Sequence, residues 1–160
     1  MKHILEFETY GGTSYLKNIS DSDIIAATLV GEAGGEKKEG MTAVYSVLKN
    51  REKKKGTSKA GEALRPGQFD VWRKAWSGVK EKSDYDLNKI ISIIDIYKKR
   101  KEWEKPWEIA MEIIKEDPED ITGGASHYYA HNKMGLPSVF KGWQVTKVIG
   151  GHTFGKGIKY

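Results

Sequence analysis

Apolar residues recur along the chain at helical spacing in four places, and then the pattern changes to alternation. Ile24, Ile25, Ala27, Thr28, Leu29, Val30 and Ala33 make a short, nearly all-apolar helix. Ser20 can cap it, with Asp23 three residues on, and Gly34-Gly35 should stop it. A second helix is predicted from near Glu36 to about Lys54, with Met41, Val44, Tyr45, Val47 and Leu48 as its apolar stripe. Its acids lie early and its bases late, as the helix dipole favours. Residues 56–70 read as loop, around Gly56, Gly61 and Pro66-Gly67, and 71–82 fit neither period. Asp84 or Asp86 can cap a third helix carrying Leu87, Ile90, Ile91, Ile94 and Tyr97 inward. Pro106 suits the first turn of a fourth, with Trp107, Ala110, Ile113 and Ile114 facing the core and Pro118 beyond its end.

After Thr122-Gly123-Gly124 the residues from Ser126 to Ala130 read as an aromatic-rich strand. Gln144 to Ile149 alternates, and Gly150-Gly151 can turn it back into His152-Thr153-Phe154 as a hairpin. Residues 1–19 are mixed, with a turn expected at Gly11-Gly12-Thr13-Ser14, and are read as an N-terminal arm. The expected fold is α+β and mostly helical: one domain over 20–160 with a small C-terminal β-sheet.

Composition narrows the function classes. The 160 residues suffice for one domain with a real core. With no cysteine, neither a disulfide framework nor a thiolate site is possible. The first residues, with Glu6 and Glu8, do not form a signal peptide, and no stretch is apolar enough to span a bilayer. The expected product is a soluble monomer made in the cytoplasm, which must be released to reach anything outside the membrane. The formal charge of +5 favours an anionic partner. A basic nucleic-acid-binding module is one such reading, but lysines mix with nearly as many acids and no groove-reading motif is present.

The most informative stretch is Gly31-Glu32-Ala33-Gly34-Gly35-Glu36. Glu32 falls in the last turn of an apolar helix. The negative end of the helix dipole and partial burial both disfavour its ionised form. A carboxyl kept protonated near neutral pH is what a general acid requires.

Further motifs follow in order: Asn50-Arg51 at a helix end, then Pro66-Gly67-Gln68-Phe69, then Thr122-Gly123-Gly124-Ala125 leading to Tyr128-Tyr129, and finally Ile149-Gly150-Gly151-His152-Thr153-Phe154. Together with the first motif they resemble the cell wall hydrolases of the spore-cortex-lytic SleB type. The resemblance covers residues 24–154. It implies a lysozyme-like fold, cleavage of the peptidoglycan glycan between N-acetylmuramic acid and N-acetylglucosamine, and no cofactor or metal. It also implies that Glu32 is the single catalytic acid/base and that Glu36 is structural, near the amides that start the second helix. Two departures stand out: the family's Arg is Gly34 here, and an Asn-Pro after the aromatics is Ala130-His131. A short version of this kind resembles a phage endolysin or a virion-associated lysin.

Gln68, Phe69, Tyr128 and Tyr129 are the candidate glycan-binding residues, because rings stack on sugar C–H faces and amides bridge hydroxyls. A second carboxylate would be needed for a hydrolytic muramidase, and Glu36, Glu39 and Asp70 are the candidates. With one acid/base, the sugar's own C6 hydroxyl can attack instead, giving a lytic transglycosylase and 1,6-anhydro ends. A zinc-dependent amidase or peptidase using His127, His131 and His152 is the rival enzyme, although the His-Glu-x-x-His motif is missing.

Overall fold

The computed structural model describes residues 16, 18–78 and 85–160. The expected arm thus lies outside the described residues except at its end, where Leu16 and Ile19 are buried in the main core. The Gly11–Ser14 turn also lies outside them.

Helix α1 (Asp21–Ala33) runs through the middle of the helical part and is apolar nearly all round. It packs against α2 (Lys38–Lys55), α3 (Lys59–Ala63), α5 (Leu87–Lys99) and α6 (Glu104–Glu116). Ser20 Oγ accepts from Asp23 N–H as the cap of α1. Gly56 ends α2 with a positive φ of 72°. Asp86, not Asp84, caps α5, accepting from the amides of Asn88 and Lys89. The loop expected over 56–70 contains α3, a short helix capped by Ser58. The ambiguous stretch after it begins with a 3-10 turn (Asp70–Trp72) and the short α4 (Arg73–Trp76).

The inward stripe of α5 is shifted from the expected one. Ile90, Ile93 and Ile94 are buried, whereas Ile91 is 43% exposed. Trp72 is fully buried beside α1, and its indole N–H donates to Thr28 Oγ1 at 2.9 Å. Thr28 in turn donates to Ile24 C=O.

Strands β1 (His127–Ala130), β2 (Gln144–Ile149) and β3 (His152–Lys156) form an antiparallel sheet in the order β1-β3-β2. Tyr128 lies opposite Phe154, and Ala130 opposite His152. The ladder of β2 shifts register between Val145 and Lys147, and Thr146 Oγ1 there donates to Thr122 C=O. Helix α2 clasps the start of the sheet: Asn50 Nδ2 donates to Ala125 C=O at 2.8 Å, and Arg51 Nε to Ser126 C=O at 2.7 Å. The Asn-Arg and Thr-Gly-Gly-Ala motifs are thus one tie between helices and sheet. Among the described residues, no helix is long and apolar enough to cross a membrane.

Candidate active site

A cleft of about 870 Å³ opens where the helices meet the sheet. Its helical side carries Glu32, Gln68, Asp70 and Arg73, and its sheet side carries Tyr128, Tyr129 and the loop after β1. Glu32 is half-buried there, because α1 ends at Ala33 and delivers its last turn to the opening. The carboxylate is gripped from both sides. Val71 N–H, in the 3-10 turn, donates to Oε2 at 3.3 Å. The Tyr128 hydroxyl, on β1, donates to Oε1.

Burial raises the Glu32 pKa above the ordinary carboxylate range, and the nearby negative charge of Asp70 adds to the rise. The bonds from Tyr128 and from the Val71 and Asp70 amides act against it, because they favour the charged form. Burial is the largest of these effects, so the site holds a proton on Glu32 at a pH where an exposed glutamate would have lost it. Tyr128 itself is pushed far up by burial and by the Glu32 charge, and stays a neutral hydroxyl.

The sequence-predicted residues reach this cleft in different roles. Gln68 closes a tight turn, its N–H donating to Arg65 C=O, with Gly67 at φ 79° before it. It stands half-buried on the cleft wall. Phe69 borders the cleft, but its ring is only 1% exposed. Its ring packs toward Tyr128, 6.5 Å between centroids, so little of its face is open to the cleft. Tyr128 turns its hydroxyl to Glu32 and packs on Phe154, and it remains part of the cleft lining. Tyr129 points to the other face of β1, against Phe140 and Trp143, and remains half-exposed at the cleft. It is the ring of this set best placed to stack.

Glu36 is structural in a different way from the one expected. It reaches across to the β2–β3 turn rather than to its own helix start. Oε1 accepts from Gly151 N–H at 3.2 Å, and Oε2 lies 2.8 Å from His152 Nδ1. Gly150 has a positive φ of 56°, and a Cβ there would sit 2.5 Å from Glu36 Oε1, so a side chain would push the carboxylate off the turn. His152 places its ring edge-on to Tyr128 at 5.1 Å. Burial lowers its pKa despite the pull of Glu36. Sequence reasoning missed this brace and the Val71 amide. Period-two alternation did carry one usable signal, since it sends Tyr128 and Tyr129 to opposite faces.

Gly34 explains the missing family Arg. A Cβ there would lie 3.2 Å from the Trp103 ring and closer still to the Val30 carbonyl, so Trp103 occupies the space a side chain would need. At the other departure, His131 bonds Thr153 Oγ1 at 2.9 Å. The three histidines named for the zinc reading each have a partner of their own. His127 pairs with Ser126 Oγ and its pKa is pushed down to about 3 by burial and nearby cations, while His131 and His152 face separate partners. Among the described residues, no group of three His, Asp or Glu side chains could hold an ion.

A helical domain with a small sheet, and a glutamate whose proton is favoured by burial in the cleft between them, is an arrangement suited to acid catalysis. Residues 35–155 match the cell wall hydrolase family, and the chain belongs to that family. Two solved structures share its fold. The catalytic domain of the germination-specific lytic transglycosylase SleB from Bacillus anthracis is 22% identical, with a TM-score of 0.60 over 88% of this chain and 98% of that one. The catalytic domain of the Bacillus cereus SleB protein is also 22% identical, with a TM-score of 0.51 over 91% of this chain and 99% of that one. No curated protein sequence matches the chain.

Proposed function

We propose that this enzyme cuts peptidoglycan glycan strands between N-acetylmuramic acid and N-acetylglucosamine as a lytic transglycosylase, with Glu32 as its only acid/base. The observation that carries this reading is the placement of carboxylates in the cleft. Glu32 and Asp70 both belong to the helical side, where the Asp70 amide and charge bear on Glu32 itself. Asp70 is exposed and paired with Arg73. The sheet side lines the cleft with Tyr129, Lys133 and Val139 and offers no Asp or Glu among the described residues. A hydrolase of the two-carboxylate kind needs its second group across the scissile bond.

With one acid, the chemistry closes through the substrate. Glu32 protonates the glycosidic oxygen as the C1–O bond breaks, then takes the proton from the C6 hydroxyl as that oxygen bonds C1. Each cut leaves a 1,6-anhydro-N-acetylmuramic acid end, and no water is consumed. The intramolecular nucleophile replaces a positioned water. The Bacillus anthracis structural neighbour is itself named a lytic transglycosylase, which supports the same route. The charge of +5 suits an anionic wall, and we place the enzyme as a phage-type lysin, made in the host cytoplasm and acting on the wall after release or from a virion. Mass spectrometry of fragments from purified peptidoglycan tests the reaction. Anhydro ends are expected; reducing N-acetylmuramic acid ends alone would replace this mechanism with hydrolysis assisted by Asp70.

A further inference from the structure

One end of the cleft is built around a buried cation with no carboxylate bonded to it among the described residues. Arg51 is 2% exposed and lines the cleft. Its Nε is used on Ser126 C=O, but its Nη1 is buried with no hydrogen-bond partner. The guanidinium lies between two rings, with Cζ 5.1 Å from the centroid of Phe69 and 4.7 Å from that of Tyr160. The Tyr160 hydroxyl is also buried and also has no partner. The buried acid Glu62, whose charge bears on Arg51, is committed to Arg65 through both oxygens, at 3.1 and 2.6 Å. Lys54 and Lys55 add charge around the same ring, at 5.3 and 4.4 Å from its centroid.

A guanidinium taken out of water without a carboxylate is costly, and ring faces offset only part of that cost. The orphaned Nη1 and the orphaned hydroxyl belong to two stacked groups, and both are donors lacking an acceptor. The surrounding charge selects an anionic acceptor. Both residues line the same cleft as Glu32, so the strand being cut is the carrier that would bring an anion beside them. We propose that Arg51 and Tyr160 form an anion subsite for a carboxylate carried by the muramoyl residue, either its free lactyl group or its attached peptide. The proposal rests on the glycan-cleavage reading and adds what that reading lacks, a group that tells one strand from another.

The test uses four defined glycans: peptide-free strands with the lactyl carboxyl free or amidated, and peptide-bearing strands with carboxyls free or amidated. The wild-type enzyme should cut one anionic form about tenfold better in kcat/KM than its neutral counterpart, the scale of one charge-assisted hydrogen bond. A preference in the first pair assigns the lactyl group, and a preference in the second assigns the peptide. Arg51→Gln should bring the ratio to about one. Tyr160→Phe removes only the unpaired hydroxyl, keeps the ring, and should reduce the ratio about two- to threefold, so the proposal stays testable if Arg51→Gln fails to fold. Equal cutting within both pairs, or a ratio unmoved in the folded variants, overturns the subsite alone. Failure to cut any of the four overturns the glycan-cleavage reading as well.

Discussion

The helical and sheet parts of this enzyme bury their residues in opposite styles. Helix α1 is wrapped on nearly every side, and Ile24, Ala26, Ala27, Thr28 and Leu29 are all 0% exposed. The sheet is covered on one face only: Phe154 is 1% exposed, while Val145 and Val148 are 52% and 59% exposed. A part closed all round can fix a backbone but has no surface on which to meet substrate. A sheet with one wet face can present side chains but is less firmly held. Glu32 stands at their junction and draws on both, a rigid helix end and turn amide from one and a hydroxyl from the other. On this division, the helical part sets where the acid is, and the sheet, through Tyr128, tempers the rise in pKa that burial imposes.

The sharpest way to break that picture is at the acid itself. Glu32→Gln keeps the shape and one acceptor oxygen but cannot shuttle a proton. Wall lysis followed by turbidity should fall by roughly three decades or more, with the melting temperature nearly unchanged. Glu36→Gln should cost less than about tenfold, because that side chain braces the β2–β3 turn and its amide can still accept from Gly151 N–H. Near-normal lysis by Glu32→Gln would remove the assignment.

The same division decides what could be read in advance. Helical periodicity located α1, α2, α5 and α6 because each buries a continuous apolar stripe. It took Ile91 in place of Ile93, since either can join Leu87, Ile90, Ile94 and Tyr97 on one side of the helix and only packing chooses between them. It missed α3, whose Lys-Ala-Gly-Glu-Ala is too short for a period. In the site, the position of Glu32 at a helix end was legible, because that is a local property. The partners of Glu36 and of Tyr128 were not, since they lie 115 and 96 residues away in sequence. An aromatic residue does not announce whether its face or its hydroxyl is in use, so the bond from Tyr128 to Glu32 could not be read from the sequence.

A smaller effect is expected on the helical side. Thr28→Val keeps the volume but removes the acceptor of the Trp72 indole N–H at a fully buried position. Leaving that donor unpaired should cost about 1–3 kcal/mol in chemical denaturation. Trp72 follows Val71, whose amide holds Glu32, so activity should fall along with stability. Loss of stability with activity per folded molecule intact would mean that the turn is placed by something other than this anchor.

The smallest effect is the most specific, because it touches only the sheet's contribution. Tyr128 donates to Glu32 and so favours the ionised carboxylate, opposing the rise that burial imposes. Activity that needs Glu32 protonated is lost as pH climbs through its raised pKa, which sets the alkaline limb of the pH–rate profile. Tyr128→Phe keeps the ring packed on Phe154 and Phe69 but deletes the donor. Without it the neutral form gains relative to the charged one, so the pKa rises further and the alkaline limb moves to higher pH. A shift of about one unit corresponds to roughly 1.4 kcal/mol, within the range of a single hydrogen bond to a charged group. The maximal rate should change less than about tenfold, since the acid stays in place on α1 and the Val71 amide still holds it. Measuring kcat/KM across pH on soluble glycan separates this from general damage, which lowers the profile without moving it. A limb displaced to lower pH would reverse the roles, with Glu32 donating and Tyr128 accepting. An unmoved limb would mean that the helical side alone sets the acidity of Glu32.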